Sequence, residues 1–137
     1  MSEPDRLYIA KEDRELYDKL QGKWIFKGRS KKEQFVFAMA FGFGKGVRRV
    51  IERREEFFHR PDLRLEDKAI LDIVAIQTEG SLSILLNIEQ VFQIAQEYAH
   101  AGIQLLNDEF ESSPLGTFEK KFERDMFDLY NKLKPSQ

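Results

Sequence analysis

The stretch SKKEQFVFAMAFGFGKG, residues 30–46, decides the fold of this chain. Ser30 and Glu33 match a capping box, in which the Ser30 hydroxyl accepts from the Glu33 amide and the Glu33 carboxylate accepts from the Ser30 amide. The helix that begins there, predicted over residues 31–41, is apolar on nearly all sides, and such a helix normally lies at the centre of a domain. The glycines from Gly42 onward are expected to end it.

Further segments show the apolar spacing of amphipathic helices. Asn87 and Gln90 form a second capping-box pattern, which opens a long helix. The predicted helices besides the central one cover residues 11–20, 66–78, 88–109 and 118–133, and residues 82–86 are expected to form a short helical turn. The chain is therefore predicted to be all-α: a compact single-domain bundle of about five helices over residues 1–137.

Residues 47–60 leave two interpretations open. Val47, Val50, Ile51 and Phe58 could form one stripe of a helix. The same stretch is rich in β-branched and charged residues, which also allows an extended arm.

Composition restricts the chemistry. The chain has no cysteine, which excludes disulfides, thiolate metal sites and cysteine nucleophiles. The longest nearly apolar run, residues 35–43, is far shorter than the ~20 residues that a membrane span needs. Since no signal peptide is visible at the N-terminus either, we expect a cytoplasmic protein without membrane contact.

The charge distribution is uneven although the net charge is only −2. Residues 23–54 contain ten basic and two acidic residues, whereas residues 55–137 carry a net charge of −8. The basic side chains proposed to contact nucleic acid are Lys45, Arg48, Arg49, Arg53 and Arg54. They could replace counterions on a nucleic-acid backbone, or they could pair internally with Glu52, Glu55, Glu56 or the acidic C-terminal half.

No residue pattern indicates a cofactor or a catalytic site. The glycines at positions 42, 44 and 46 follow a helix instead of opening one, so a helix terminator is favoured over a phosphate loop. His59 and His100 have no ligand partners at metal-site spacing and are expected to be surface or capping residues. We expect no metal, no cofactor and no catalytic residues. Enzymatic activity is not excluded, but nothing in the sequence supports it.

Two segments resemble a known family. Residues 32–43, followed by Lys45 and Gly46, and residues 94–103 are similar to small prokaryotic proteins associated with DNA phosphorothioation (Dnd) systems. The resemblance covers about residues 30–106. It implies a DNA-modification or DNA-defence context, and it assigns no catalytic residues.

These observations predict a non-enzymatic accessory protein that binds DNA, or a DNA-modification or defence complex, through its basic segment. The alternative is a protein–protein interaction or assembly module. We also expect a homo-oligomer, with a dimer favoured because two-fold dimers are the commonest assemblies. Its preferred contact would be the apolar face formed by Phe118, Phe122 and Met126.

Overall fold

The computed structural model describes residues 4–23, 26–112 and 117–133. Five α-helices account for most of them, as predicted. They are α1 (Arg14–Gln21), α2 (Lys31–Lys45), α3 (Leu65–Glu79), α4 (Ile88–Ser112) and α5 (Thr117–Leu133). Short 3₁₀ turns cover Lys11–Asp13, Arg60–Asp62 and Leu82–Leu86, and the last of these is the helical turn that the sequence predicted.

The all-α prediction is wrong in one respect. Strand β1 (Arg6–Ala10) pairs antiparallel with β2 (Arg54–His59), so the helices pack with a two-stranded sheet. The register joins Arg6 to His59 across more than fifty residues of chain, and local periodicity carries no signal for such a distant pair. The helical interpretation of residues 47–60 is therefore wrong: residues 54–59 are extended in β2, and residues 47–53 have no regular secondary structure.

A bulge in β2 lets the small sheet contribute to the core. Leu7 pairs with Phe58 and Tyr8 pairs with Glu56, which leaves Phe57 as an extra residue on its strand. Phe57 and Phe58 are therefore both buried, although they are neighbours in sequence. Both belong to the main apolar core, together with Leu7 on the facing strand.

Both predicted helix caps form. Ser30 Oγ accepts from the Glu33 amide at 3.2 Å, and the Glu33 carboxylate accepts from the Ser30 amide at 3.0 Å. Asn87 Oδ1 accepts from the Gln90 amide at 3.1 Å. The predicted end of the central helix is wrong, because α2 continues through Gly42 and ends only where Gly46 adopts a left-handed conformation with φ 72°.

Helices α2 and α4 form the centre of the molecule and touch backbone to backbone. A Cβ atom on Gly42 would overlap the Tyr98 carbonyl oxygen, and one on Gly102 would overlap the Ala38 carbonyl oxygen. Two glycines facing each other thus set the distance between the helices. No helix in the described ranges is long and apolar enough to cross a bilayer.

Candidate nucleic-acid interface

The basic segment leaves α2 at a tight cap and then follows α4. The Val47 amide donates to the Gly42 carbonyl at 3.0 Å, which completes the left-handed cap at Gly46. Residues 47–53 have no regular secondary structure and lead into β2. We call residues 47–54 the arginine arm.

Beyond the Val47 bond to α2, further backbone hydrogen bonds attach the arginine arm to the rest of the molecule. The Arg49 amide donates to the Glu97 carbonyl on α4 at 3.2 Å, and the Arg53 carbonyl accepts from the Lys11 amide at 2.8 Å. The arm is therefore fixed near its middle and at its end, while the four arginine residues remain exposed.

Lys45 does not share the surroundings of these arginines. Its ammonium group lies 3.2 Å from a Glu109 carboxylate oxygen on α4 and 3.4 Å from an Asp125 oxygen on α5. Partial burial opposes the charged form, but the hydrogen bonds and the attraction of these two carboxylates outweigh it and raise the pKa of Lys45. Lys45 thus links three helices, and its charge is already balanced by neighbours.

The four arginines of the arm differ in the groups that their guanidinium groups contact. Arg48 Nε lies 3.3 Å from a Glu97 carboxylate oxygen, so its charge is partly balanced. The Arg54 guanidinium stacks 4.1 Å above the centre of the Tyr8 ring and forms no ion pair with a carboxylate in the part of the chain that the structure describes. Arg49 donates to the neutral amide oxygen of Gln104. Among the described residues, the Arg53 guanidinium contacts no carboxylate.

A buried polar cluster lies beneath the arm, and sequence reasoning missed it. Asp13 is fully buried, and its carboxylate accepts from His100 Nδ1 at 2.6 Å and from Gln104 Nε2 at 3.2 Å. The Asp13 hydrogen bond raises the pKa of His100; burial and Arg49 oppose this rise, and the charges of Asp13 and Glu12 assist it. The expectation that His100 is a surface or capping residue is wrong, whereas His59 is exposed.

A paired histidine and aspartate also occur in nucleophilic catalysis, where the histidine activates a hydroxyl or thiol. In the described residues no serine or threonine hydroxyl is bonded to His100, and the ring is only 8% exposed. No three His, Asp or Glu side chains converge there as potential metal ligands either. The bonds of Asp13 to His100 and Gln104 link the 3₁₀ turn at Lys11–Asp13 to α4.

Large apolar side chains are also exposed in the 3₁₀ turn after α3 and on α5. Leu82, Leu85 and Leu86 lie in the 3₁₀ turn after α3 and are 71%, 40% and 92% exposed. On α5, Phe127 and Tyr130 are also mostly exposed. The side chains of Phe118 and Phe122, which belong to the predicted dimer face, lie outside the described residues, and Met126 packs against the core.

Comparison with known proteins places the chain in a family. A family model described as DNA sulphur modification system-associated protein 4 matches residues 6–120, a range that contains both strands, helices α1–α4 and the whole arginine arm. No curated protein and no solved structure matches the chain significantly. The resemblance to Dnd-associated proteins is thereby confirmed. Because the match covers most of its length, the chain belongs to the family of DNA sulphur modification system-associated protein 4.

Proposed function

We propose that this protein is a non-enzymatic accessory component of a DNA sulphur modification system and that it contacts the DNA backbone through Arg48, Arg49, Arg53 and Arg54. One observation carries the proposal: the arginine arm, irregular up to the start of β2 at Arg54, exposes four arginines and is fixed to the fold by backbone hydrogen bonds. The family membership supplies the biological setting.

The arm suits a polyanion because its backbone is held in place before binding. Lysines and arginines that meet phosphates release condensed counterions, which favours binding and makes it dependent on salt. A loop that must become ordered at an interface loses binding free energy, and a backbone segment already fixed to the fold avoids that cost. Lys45 is left out of the proposed contact set because Glu109 and Asp125 already balance its charge.

The salt dependence of DNA binding tests this proposal. Each phosphate contact contributes about −0.9 to the slope of log K against log salt on duplex DNA. Replacing Arg48, Arg49, Arg53 and Arg54 together by alanine should therefore flatten the slope by up to ~3–4 units. Fluorescence anisotropy with a labelled duplex at several salt concentrations would measure it.

A matched control uses exposed cations elsewhere on the molecule. Lys120 and Arg124 lie on the solvent side of α5. The variant Lys120→Ala, Arg124→Ala should keep the wild-type slope, whereas Arg49→Ala, Arg53→Ala should lose about two units. Equal losses in the two double variants would show that net charge alone matters. Absence of binding by the wild type at ~50 mM salt, where the electrostatic contribution is strong, would refute the DNA proposal.

The second candidate function is a protein-interaction or assembly module. It is favoured by the exposure of Leu82 and Leu86 in one 3₁₀ turn, because a partner or a second copy could cover these apolar side chains. Under this proposal the wild type should exceed its monomer mass in light scattering at tens of micromolar. The variant Leu82→Lys, Leu86→Lys should return to the monomer mass. A monomeric wild type would remove self-association from consideration.

A further inference from the structure

Gln104 bridges an exposed cation and a buried anion. Its side-chain oxygen accepts from the Arg49 guanidinium, and its Nε2 donates to Asp13 Oδ1 at 3.2 Å. A guanidinium has only donors and a carboxylate has only acceptors, so the amide can satisfy both in one orientation. The side chain is therefore held at both ends.

The inner end of this bridge is firmly fixed. Asp13 is fully buried, and its second oxygen accepts from His100 Nδ1 at 2.6 Å. A buried carboxylate that lost its partners would carry a large desolvation penalty. This penalty favours the observed geometry of the Asp13 side chain over any geometry that breaks its hydrogen bonds. The fixed carboxylate in turn fixes the amide of Gln104.

Helix α4 holds Arg49 at two levels. The Arg49 amide bonds to the Glu97 carbonyl, and the Arg49 guanidinium bonds to Gln104. Residues 97 and 104 are seven positions apart, which is about two helical turns along one face. The arginine side chain is thus laid along α4, with its backbone fixed at one level and its charged end fixed at the other.

We infer that Gln104, held by the buried Asp13–His100 pair, is a positioning residue that fixes the guanidinium of Arg49 on the arginine arm and leaves its charge available to an anionic ligand. The inference deepens the proposed DNA contact and rests on it for its purpose. Because the Gln104 side chain is uncharged, it can orient the Arg49 guanidinium without offsetting its charge. Arg48 faces the carboxylate of Glu97, which offsets its charge, whereas Arg49 is oriented by an uncharged amide.

The positioning itself can be measured without DNA. Side-chain NMR relaxation of the arginine Nε–H groups reports how ordered each guanidinium is. Arg49 should be more ordered than Arg53, because Gln104 holds the Arg49 guanidinium, whereas the Arg53 guanidinium has no hydrogen bond or ion pair among the described residues. The variant Gln104→Ala should loosen Arg49 and leave Arg53 unchanged. If Arg49 is as mobile as Arg53 in the wild type, the inference is overturned whether or not the protein binds DNA.

A double-mutant cycle then tests whether the positioning matters for binding. Gln104→Ala should weaken duplex binding about two- to tenfold, the cost of ordering one long side chain, and it should keep the wild-type salt slope because no charge is lost. In an Arg49→Ala background, Gln104→Ala should have no further effect. In an Arg53→Ala background its effect should persist in full, which makes that cycle the matched control.

The outcomes separate the inference from the proposed function. If the wild type does not bind DNA, the proposed function fails, and the NMR comparison alone decides whether Gln104 positions Arg49. If the wild type binds and both cycles are additive, the DNA contact stands and the positioning role is overturned. If Gln104→Ala is coupled to Arg49→Ala but not to Arg53→Ala, the result supports both the DNA contact and the positioning role of Gln104.

Discussion

Replacing Gly42 by alanine is expected to cost about 3 kcal/mol of unfolding free energy, the upper end of what overpacking usually costs, or to prevent folding altogether. The added Cβ atom would overlap the Tyr98 carbonyl oxygen and would lie 3.0 Å from the Gly102 nitrogen. Both are backbone atoms of α4 and cannot turn away as a side chain would. The two central helices would therefore have to separate, which would open the core around them.

The same crossing can be tested from the opposite helix. A Cβ atom on Gly102 would overlap the Ala38 carbonyl oxygen and would lie 2.8 Å from the Gly42 nitrogen. Gly102→Ala should therefore be about as destabilising as Gly42→Ala. Since both changes separate the same two helices, the double variant should cost less than the sum of the single ones.

Gly44→Ala is the matched control for this prediction. Gly44 lies in the same helix, two residues further on, and a Cβ atom there would meet only the Leu129 side chain, at an ordinary 3.5 Å. Alanine is favoured over glycine inside a helix by ~0.5–1 kcal/mol, so this variant should be neutral or slightly more stable. Urea denaturation of the three variants checks the comparison. Similar losses at positions 42 and 44 would contradict the close crossing.

These glycines illustrate how far the sequence could predict the fold. The helices could be predicted from the sequence because caps and apolar spacing are local signals. The capping box at Ser30, for example, is present in the structure. Glycine is poor in helices, which predicts a helix end at Gly42, yet close contact with Gly102 keeps this residue inside α2. Only the tertiary contact distinguishes a glycine that ends a helix from one that lets two helices touch.

The sheet and the candidate site show the same limit. The pairing of β1 with β2 depends on residues far apart in the chain. The basic segment could be identified from its composition, but composition could not separate Lys45, which is paired with Glu109 and Asp125, from Arg53. Asp13 and His100 are 87 positions apart, and no spacing rule joins them.

Removing His100 should be the most damaging change to the buried polar cluster. His100→Leu leaves the Asp13 carboxylate fully buried without its closest partner, and breaking a buried pair in this way typically costs ~3–5 kcal/mol. The double variant Asp13→Asn, His100→Leu should recover part of the loss, because it leaves a neutral amide in place of a buried charge. Denaturation of both variants at pH 7 measures the difference. A double variant no more stable than His100→Leu would show that packing, not charge, dominates this site.

The pair should also make stability depend on pH, with a defined sign. The hydrogen bond to Asp13 raises the pKa of His100, so near neutral pH the folded protein holds a proton that the unfolded chain, with a histidine pKa of about 6.5, releases. This contribution to stability is complete below that unfolded value and is lost as pH rises through the folded one. The unfolding free energy of the wild type should therefore decline as pH rises above about 6.5. In Asp13→Asn the decline should be weaker, because the carboxylate that retains the proton is gone. An NMR titration that finds His100 losing its proton at or below the ordinary histidine range would contradict this account.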